Sequence, residues 1–591
     1  MDWNNELLTT LVWLGKAFIL SLIGLFLIVA ALSRWTQWGR QFKRLAWPYF
    51  MPSRSMLPMG MLTLIILLTL FAVRLSVLFS FWYNGFYSAM QNLDAKAFWF
   101  MLGVFSILAA IHVGRALLNF YLQQAFLIRW RRWLTDTLME AWLQQQAYYR
   151  SRYLPDDADN PDQRIQQDVD SFVSTSLSLS MGLLDAIVSL FSFTLILWGL
   201  SGALAIAGVE IPRAMVFLVY LYVLIATLFA VKLGRPLIAL NFLNEKLNAD
   251  FRYALIRVRE YGESIAFFKG ERIEQAGLMQ RFAEVISNKW AIVYRSLKFQ
   301  GFNFAISQVA VVFPFIAQAP RLFDKQITLG DMMQTVEAFG QVQTALSFFR
   351  SSYDDFTSYR AVLNRLSGFL DIMEATAQLP KVQMAREGQQ LLICALNVNT
   401  QAQTPLLENL NFALAAGDSL LIRGASGVGK TTLLRAIAGL WPFTDGRIVW
   451  PESQETLFLP QKPYIPLGSL RTALYYPAPA EYGTQTAEIL VQCQLPHLVN
   501  RLDDEANWTG VLSLGEQQRL AIGRAIISQA GIIFLDEASS AMDEGLEYAM
   551  YCLLKASLPQ SIIISVGHRS SLLAFHAQQL ELLGEGKWRL S

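Results

Sequence analysis

Ser419-Leu420-Leu421-Ile422-Arg423-Gly424-Ala425-Ser426-Gly427-Val428-Gly429-Lys430-Thr431-Thr432 begins as an apolar strand, turns through glycines and opens a helix. The spacing GxxxxGK[ST] falls on Gly424, Gly429, Lys430 and Thr431, in the strand–loop–helix setting that this pattern needs. A glycine-rich turn lets the backbone N–H groups from Gly424 through Ala425, Ser426 and Gly427 to Gly429 wrap a phosphate chain. The helix that follows adds its positive end, with Thr432 in its first turn. Lys430 has the reach for β- and γ-phosphates, and the Thr431 hydroxyl suits Mg²⁺. The stretch therefore predicts nucleotide binding.

The remainder of the 591 residues is too long for one domain and too apolar for a soluble one. Hydrophobic residues make up 54% and charged residues 16%, against about 25% charged in soluble domains. The apolar runs lie before about residue 350 and ordinary soluble composition follows. A net charge of +2, with no basic patch interleaved with aromatics, argues against nucleic acid as a partner. Cys394, Cys493 and Cys552 are scattered through the soluble part without CxxC spacing or a histidine cluster, which excludes a disulfide framework or a thiolate metal site.

A membrane-crossing helix needs roughly 20 apolar residues. Candidate spans are 8–32, 57–81, 97–122, 177–200, 214–233 and 302–319, with a more amphipathic one over 330–349. The chain opens Met-Asp-Trp-Asn-Asn-Glu, without the basic start of a cleavable signal, so the first span is expected to be retained. Arg34, Arg40, Lys43, Arg44 and Arg54 follow the first span, and Arg129, Arg131, Arg132, Arg150, Arg152 and Arg164 follow the third. Basic connections face the cytoplasm, which threads the N-terminus outside and the nucleotide-binding part inside. The inserts 123–175 and 234–300 are longer than ordinary loops and helical in pattern, so the membrane helices are expected to run on into the cytosol. Ionisable residues inside spans are costly and mark pathways. Asp185 and Arg74 are the residues assigned to a substrate pathway on that ground; the other reading is structural pairing with a basic residue for Asp185, and snorkelling or a lipid headgroup for Arg74 and Lys16.

The domain plan is an additional N-terminal helix and basic connector over 1–56, a membrane domain of six helices over 57–377, a linker over 378–389 and the nucleotide-binding domain over 390–591. In that last part, apolar strand patterns at 420–423, 447–450, 456–459, 532–535 and 562–566 alternate with helical ones, the signature of an α/β fold around a parallel sheet. The run from Gly531 to Glu537 is a buried-strand pattern ending in two carboxylates. Asp536 is positioned to hold Mg²⁺ and Glu537 to polarise an attacking water.

Leu512-Ser513-Leu514-Gly515-Glu516-Gln517-Gln518-Arg519-Leu520 resembles the ABC transporter signature. Gln461 resembles the Q-loop glutamine, Ser540-Ala541-Met542-Asp543 the D-loop, and His568 the switch histidine, all in the family's order. Arg131-Arg132-Trp133-Leu134, the run from Asn160 to Ile165, and Glu263 to Phe268 with Gly270 and Glu271 look like subfamily-D half-transporters, a group with peroxisomal fatty-acyl-CoA transporters and the bacterial SbmA/BacA-like and YddA-like proteins. Gly439-Leu440-Trp441-Pro442 and Gly468-Ser469-Leu470-Arg471 fit the same group. The resemblance covers about residues 57–591. The signature carries Leu514 where glycine is usual, Met542 replaces a leucine, and 397–405 lacks the aromatic on which many such domains stack adenine.

The resemblance implies an all-α polytopic membrane domain of the type IV ABC exporter-like fold, followed by an α/β P-loop nucleotide-binding domain. It implies ATP and Mg²⁺ as cofactors, with Thr431, Gln461 and Asp536 around the metal and Glu537, His568 and Gln461 as catalytic residues. It also implies a homodimer in which Ser513, Gly515, Glu516 and Asp543 of one copy complete the nucleotide site of the other. The expected partners are that second copy, membrane lipids and a transported solute such as a peptide, a cobalamin-like or a lipidic molecule. The expected place is a bacterial inner membrane, with ATP hydrolysis driving alternating access. The alternative is a membrane-anchored ATPase that gates or regulates a partner without transporting. Lys430→Ala is expected to abolish binding of a fluorescent ATP analogue while size-exclusion elution in detergent stays unchanged.

Overall fold

A computed structural model describes residues 6–51, 56–155, 160–202, 204–206, 209–452, 454–480 and 485–591. Arg54 and the first five residues, used above for orientation, lie outside them. The chain separates into two units: Met1–Met139 with Asn160–Leu370, and Glu140–Asp159 with Asp371–Ser591.

The first unit is helical apart from a short antiparallel pairing of Leu204–Ile206 with Val209–Ile211. Its helices are α1 (Glu6–Trp35), α2 (Gln37–Ala46), α3 (Leu57–Gln91), α4 (Ala95–Leu143), α5 (Val169–Leu200), α6 (Ala214–Glu260), α7 (Gly262–Phe268), α8 (Glu271–Phe323), α9 (Leu329–Ser351) and α10 (Tyr353–Ala377). Six helical stretches among the described residues are long and apolar enough to cross a membrane, those that contain α1, α3, α4, α5, α6 and α8. The last expected span is also a helix, α9, but does not reach that apolarity. The reason is packing. Its residues meet α5, α3, α6 and α8, and Ala338, Phe339 and Val342 sit in one core with Val77, Phe193 and Val219. A helix surrounded by protein can carry the polar Gln334 and Thr335 inward, both buried here.

The insert 234–300 is helical as expected; 123–175 is helical to Leu143 and then breaks into short turns before α5, and its residues 156–159 lie outside the described residues. α6 and α8 hold 47 and 53 residues, or roughly 70 and 80 Å at 1.5 Å per residue. A bilayer with its headgroups is about 40–45 Å thick. Their polar outer turns therefore continue the spans into water, and α7 bridges them.

Buried charge ties two distant parts of this unit together. Asp168, in a π-helical turn before α5, accepts from Arg164 at 3.0 Å and from Arg365 of α10 at 2.6 and 2.8 Å. Both arginines use the same carboxylate, so the start of α5 cannot shift along α10 without leaving a buried ion unmatched.

The second unit is built on two large sheets, beside a short antiparallel pairing of Gly468–Ser469 with Glu505–Ala506. Its strands are β1 (Gln383–Arg386), β2 (Leu391–Asn399), β3 (Pro405–Leu414), β4 (Ser419–Gly424), β5 (Thr444–Trp450), β6 (Thr456–Leu459), β7 (Ile532–Asp536), β8 (Ile562–Val566), β9 (Gln578–Gly584) and β10 (Lys587–Leu590). The main sheet has the order β10-β9-β4-β8-β7-β6, and the smaller one β1-β5-β2-β3. β9, β4, β8, β7 and β6 run parallel, so their carboxyl ends share one edge. The helices that matter for the site are α11 (Lys430–Ile437), α12 (Leu514–Ser528) and α13 (Glu544–Ser557). Residues from the 140–159 stretch belong to this unit. Tyr153 packs edge-on against Trp441 at 5.1 Å, and Arg150 donates to the carbonyls of Leu379 and Pro380 at 3.2 and 3.0 Å. The contact division falls after Leu370, within α10, rather than in the stretch 378–389.

Asp168→Asn removes one charge from a buried cluster and leaves two arginines facing it. A loss of about 3–5 kcal/mol is expected, seen as a lower melting transition of the detergent-purified chain beside the unchanged protein.

Candidate nucleotide site

The parallel register decides what meets at the sheet edge. β7 pairs with β8 from Ile532↔Ile562 to Asp536↔Val566, and β8 pairs with β4 up to Val566↔Ile422. The chain ends after β4, β7 and β8 therefore emerge side by side: the glycine loop, the Asp536-Glu537 pair and His568.

In the glycine loop, Gly424, Gly427 and Gly429 have φ of +148°, +82° and +107°, a region that side chains avoid. At Gly424 a Cβ would stand 2.7 Å from the Leu582 carbonyl oxygen, so β9 also demands glycine there. Lys430 is buried, and its Nζ donates to the carbonyls of Gly424 and Ala425 at 2.9 and 3.0 Å. The ammonium thus lies across the loop whose N–H groups would cradle phosphates. Ala425, Ser426, Gly427 and Thr431 are exposed and Thr432 half-buried.

The Thr431 hydroxyl donates to Asp536 Oδ1 at 3.3 Å. Burial pushes the Asp536 carboxyl above its usual value, as does the neighbouring Glu537, against the pull of the Thr431 bond, Arg435 and Lys430. A cation beside it would favour the charged form. Hydroxyl, carboxylate and the Gln461 amide are hard oxygen donors of the kind Mg²⁺ takes alongside phosphate oxygens. The donor set fits that ion.

Glu537 is the centre of the arrangement. Gln461 Nε2 donates to its Oε2 at 3.3 Å, and His568 Nε2 stands 3.7 Å from its Oε1. Its φ is +50°, a left-handed conformation costing about 1–3 kcal/mol in a non-glycine residue. Its N–H still donates to Val566 O at 3.1 Å, which holds the turned residue on the sheet.

The signature residues form a separate group. Ser513 caps α12, with its hydroxyl and N–H bonded to the Glu516 carboxylate at 2.8 and 2.9 Å. Burial raises the Glu516 carboxyl, but the Ser513 bonds and His497 outweigh it and hold the group below its usual value. Gly515 lies against the D-loop, where a Cβ would come 3.0 Å from the Ala541 carbonyl oxygen. Asp543 caps α13 by accepting from Leu546 N–H at 2.8 Å. Among the described residues, none of the hydrogen bonds of Ser513, Glu516 or Asp543 reaches the glycine loop.

Sequence reasoning missed the residues that brace these loops. Gln518, fully buried, donates to the Gln461 carbonyl at 2.8 Å and accepts from Ala541 N–H at 3.0 Å, joining Q-loop to D-loop. Arg569, next to His568, donates to the carbonyls of Met542 and Ser540 at 2.8 and 3.2 Å. Buried Glu547 accepts from Ser539 and Ser571 at 2.5 and 2.8 Å and stands 3.5 Å from Arg569. The one available signal was position: each is within a turn or two of a recognised motif.

The two pathway residues are placed differently. Arg74 is buried on α3, paired with Glu6 and bonded to Thr10 of α1, with Trp13 under its guanidinium. It docks α1 on α3, a protein partner where the sequence offered only a pathway role, snorkelling or a lipid headgroup. Asp185 is exposed on α5 and feels the field of Arg115.

Arg569→Ala deletes two charged hydrogen bonds, worth about 1.5–3 kcal/mol each at most, from the contact between the His568 segment and the D-loop. The expected result is at least about a tenfold fall in the ATP hydrolysis rate, with nucleotide affinity, measured by fluorescent analogue titration, unchanged.

The description "ABC transporter transmembrane region 2" matches residues 45–323 and "ABC transporter" matches 407–540. An uncharacterized ABC transporter ATP-binding protein of Haemophilus influenzae is 48% identical over the whole of both chains. The inner membrane ABC transporter ATP-binding protein YddA of Escherichia coli is 30% identical over 88% of this chain and 93% of its own. The human lysosomal cobalamin transporter ABCD4 is 27% identical over 86% of this chain and 88% of its own. A solved bacterial Atm1-family ABC exporter with ATP bound has the same fold, with a TM-score of 0.68 at 16% identity, over 90% of this chain and 94% of its own. None of these relatives supports the SbmA/BacA-like part of the resemblance. The helices and the ATP-binding unit together make a multi-pass inner-membrane protein with a cytoplasmic ATPase. The chain belongs to the ABC transporters, as an ABCD-like half-transporter that joins permease and ATPase in one polypeptide.

Proposed function

We propose that two copies of this chain form an ATP-driven transporter in which each nucleotide site is completed by the partner, and that the cargo is a cobalamin-like or lipidic solute. One observation carries the dimer. Lys430, Thr431, Asp536, Gln461, Glu537 and His568 gather at one sheet edge, while the exposed Ser513 bonds only within its own capping box among the described residues. A γ-phosphate held by the glycine loop has an open side that a second copy's Ser513 and Gly515 N–H groups can cover. Phe267 and Phe268 add support, since both are largely exposed at the end of α7, where an apolar surface invites a partner.

Bound Mg²⁺ would neutralise charge on the phosphates. Thr431 and Asp536 would hold it, with Gln461 beside them. Glu537, oriented by its left-handed turn, accepts the proton of the attacking water. His568, at 3.7 Å from the same carboxylate, steadies its position and would stand beside a bound γ-phosphate. Hydrolysis then depends on closure of the dimer, which couples it to movement of the membrane helices.

The relatives support this cargo class: ABCD4 is described as a cobalamin transporter, and the D-family resemblance points to lipidic or acyl molecules. Glu537→Gln in proteoliposomes is expected to retain ATP while hydrolysis falls about 10²–10⁴-fold, with movement of cobalamin or acyl probes lost. Trapped ATP with cargo movement unchanged sinks the transport reading and leaves the regulatory ATPase.

A further inference from the structure

α1 leans on α3 through the Arg74–Glu6 pair and then leaves an open cleft against α5. A cavity of about 420 Å³ lies between the two helices, walled by apolar side chains such as Leu20, Ile28, Leu183 and Phe191. A second cavity of about 530 Å³ shares Leu25, Ile28, Ser180 and Leu183 with it and continues toward Trp38 and Phe356. Each falls in the range of small-molecule sites, about 300–1,000 Å³. The α1 wall of the first cavity runs from Trp13 to Ile28, roughly 22 Å of helix. That exceeds the ~15 Å depth of one leaflet's hydrocarbon.

One charge stands in this wall. Lys16 lines the cleft, and among the described residues no carboxylate pairs with it. Helical side chains lean toward the N-terminus, which favours the Trp13 end of the cleft for the Lys16 ammonium, and both residues line it. Glu6, the carboxylate on the same helix, is already committed to Arg74. Lower down, a Cβ on Gly24 would meet nothing within 4 Å, so the cleft is open beside Gly24, where an acyl chain would descend.

We propose that this cleft binds an anionic phospholipid, with the headgroup on Lys16 and one acyl chain lying between α1 and α5 past Gly24. Charge complementarity selects the headgroup, because an unpaired ammonium in an apolar wall is stabilised by an anion. The apolar walls select the chain. The site is set by α1, the helix beyond the six-helix core, and does not depend on what the transporter carries.

The test uses the full chain in nanodiscs with a diazirine-tailed phosphatidylglycerol, beside its phosphatidylcholine counterpart. Phosphatidylglycerol is expected to label peptides of α1 and α5 preferentially. Lys16→Gln should lower that preference about fivefold, the effect of one basic side chain at an anionic surface, and Lys16→Arg should keep it. Gly24→Phe, which fills the cleft, should reduce labelling by both probes, with ATP hydrolysis confirming that each variant is folded. Equal labelling by the two headgroups, or labelling indifferent to Gly24→Phe, overturns the proposal. So does a photoreactive group on Gly24→Cys that captures a second copy of the chain instead of lipid, since the cleft is then a subunit interface.

Discussion

The ATP-binding unit depends on Glu537 standing where a strand ends and refusing to continue it. Its positive φ turns the carboxylate off the line of β7, while its N–H keeps the ladder bond to Val566. Had the residue stayed extended, alternation would have sent its side chain to the opposite face from Asp536 and buried it in the sheet's covering layer. The turn lets two consecutive carboxylates work on one edge. Asp536 then reaches Thr431 while Glu537 reaches Gln461 and His568. The strain of about 1–3 kcal/mol is offset by the packed strand behind it, where Ile532, Ile533, Phe534 and Leu535 are all buried.

How much of this was legible differs by residue. The glycine loop was legible because its chemistry is local: three positive-φ glycines and a lysine have to lie in a fixed order on a few residues. The Asp536-Glu537 pair was legible for the same reason. The bracing roles of Glu547, Arg569 and Gln518 were not: Gln518 was quoted only as part of the signature, and the partners of all three, such as Gln461 for Gln518 and Ser571 for Glu547, are set by the fold rather than by spacing. Arg74 shows the same limit in the membrane half. Hydropathy marks a costly charge in a span, but only the structure shows that Glu6 and Thr10, more than sixty residues earlier, take it up. α9 shows the opposite failure. The sequence counted it as a span; the structure makes it a helix but leaves it out of the six that are apolar enough to cross a membrane, and its neighbours are other helices.

The stretch Glu140–Asp159 carries a consequence for coupling. The chain leaves the membrane unit after Met139, gives this segment to the ATP-binding unit, and returns at Asn160 before leaving again after Leu370. Tyr153 anchors it through Trp441 and Phe443, and Trp441 is itself bonded to the Asn399 carbonyl at 2.7 Å. The two units are thus joined by covalent chain at several points rather than through one linker. Any rearrangement of the ATP-binding unit must be taken up by α4, by the turn before α5 and by α10 together. The last two are the elements that Asp168 locks through Arg164 and Arg365. Within the membrane unit, Asp168 thus ties the start of α5 to α10 through two arginines.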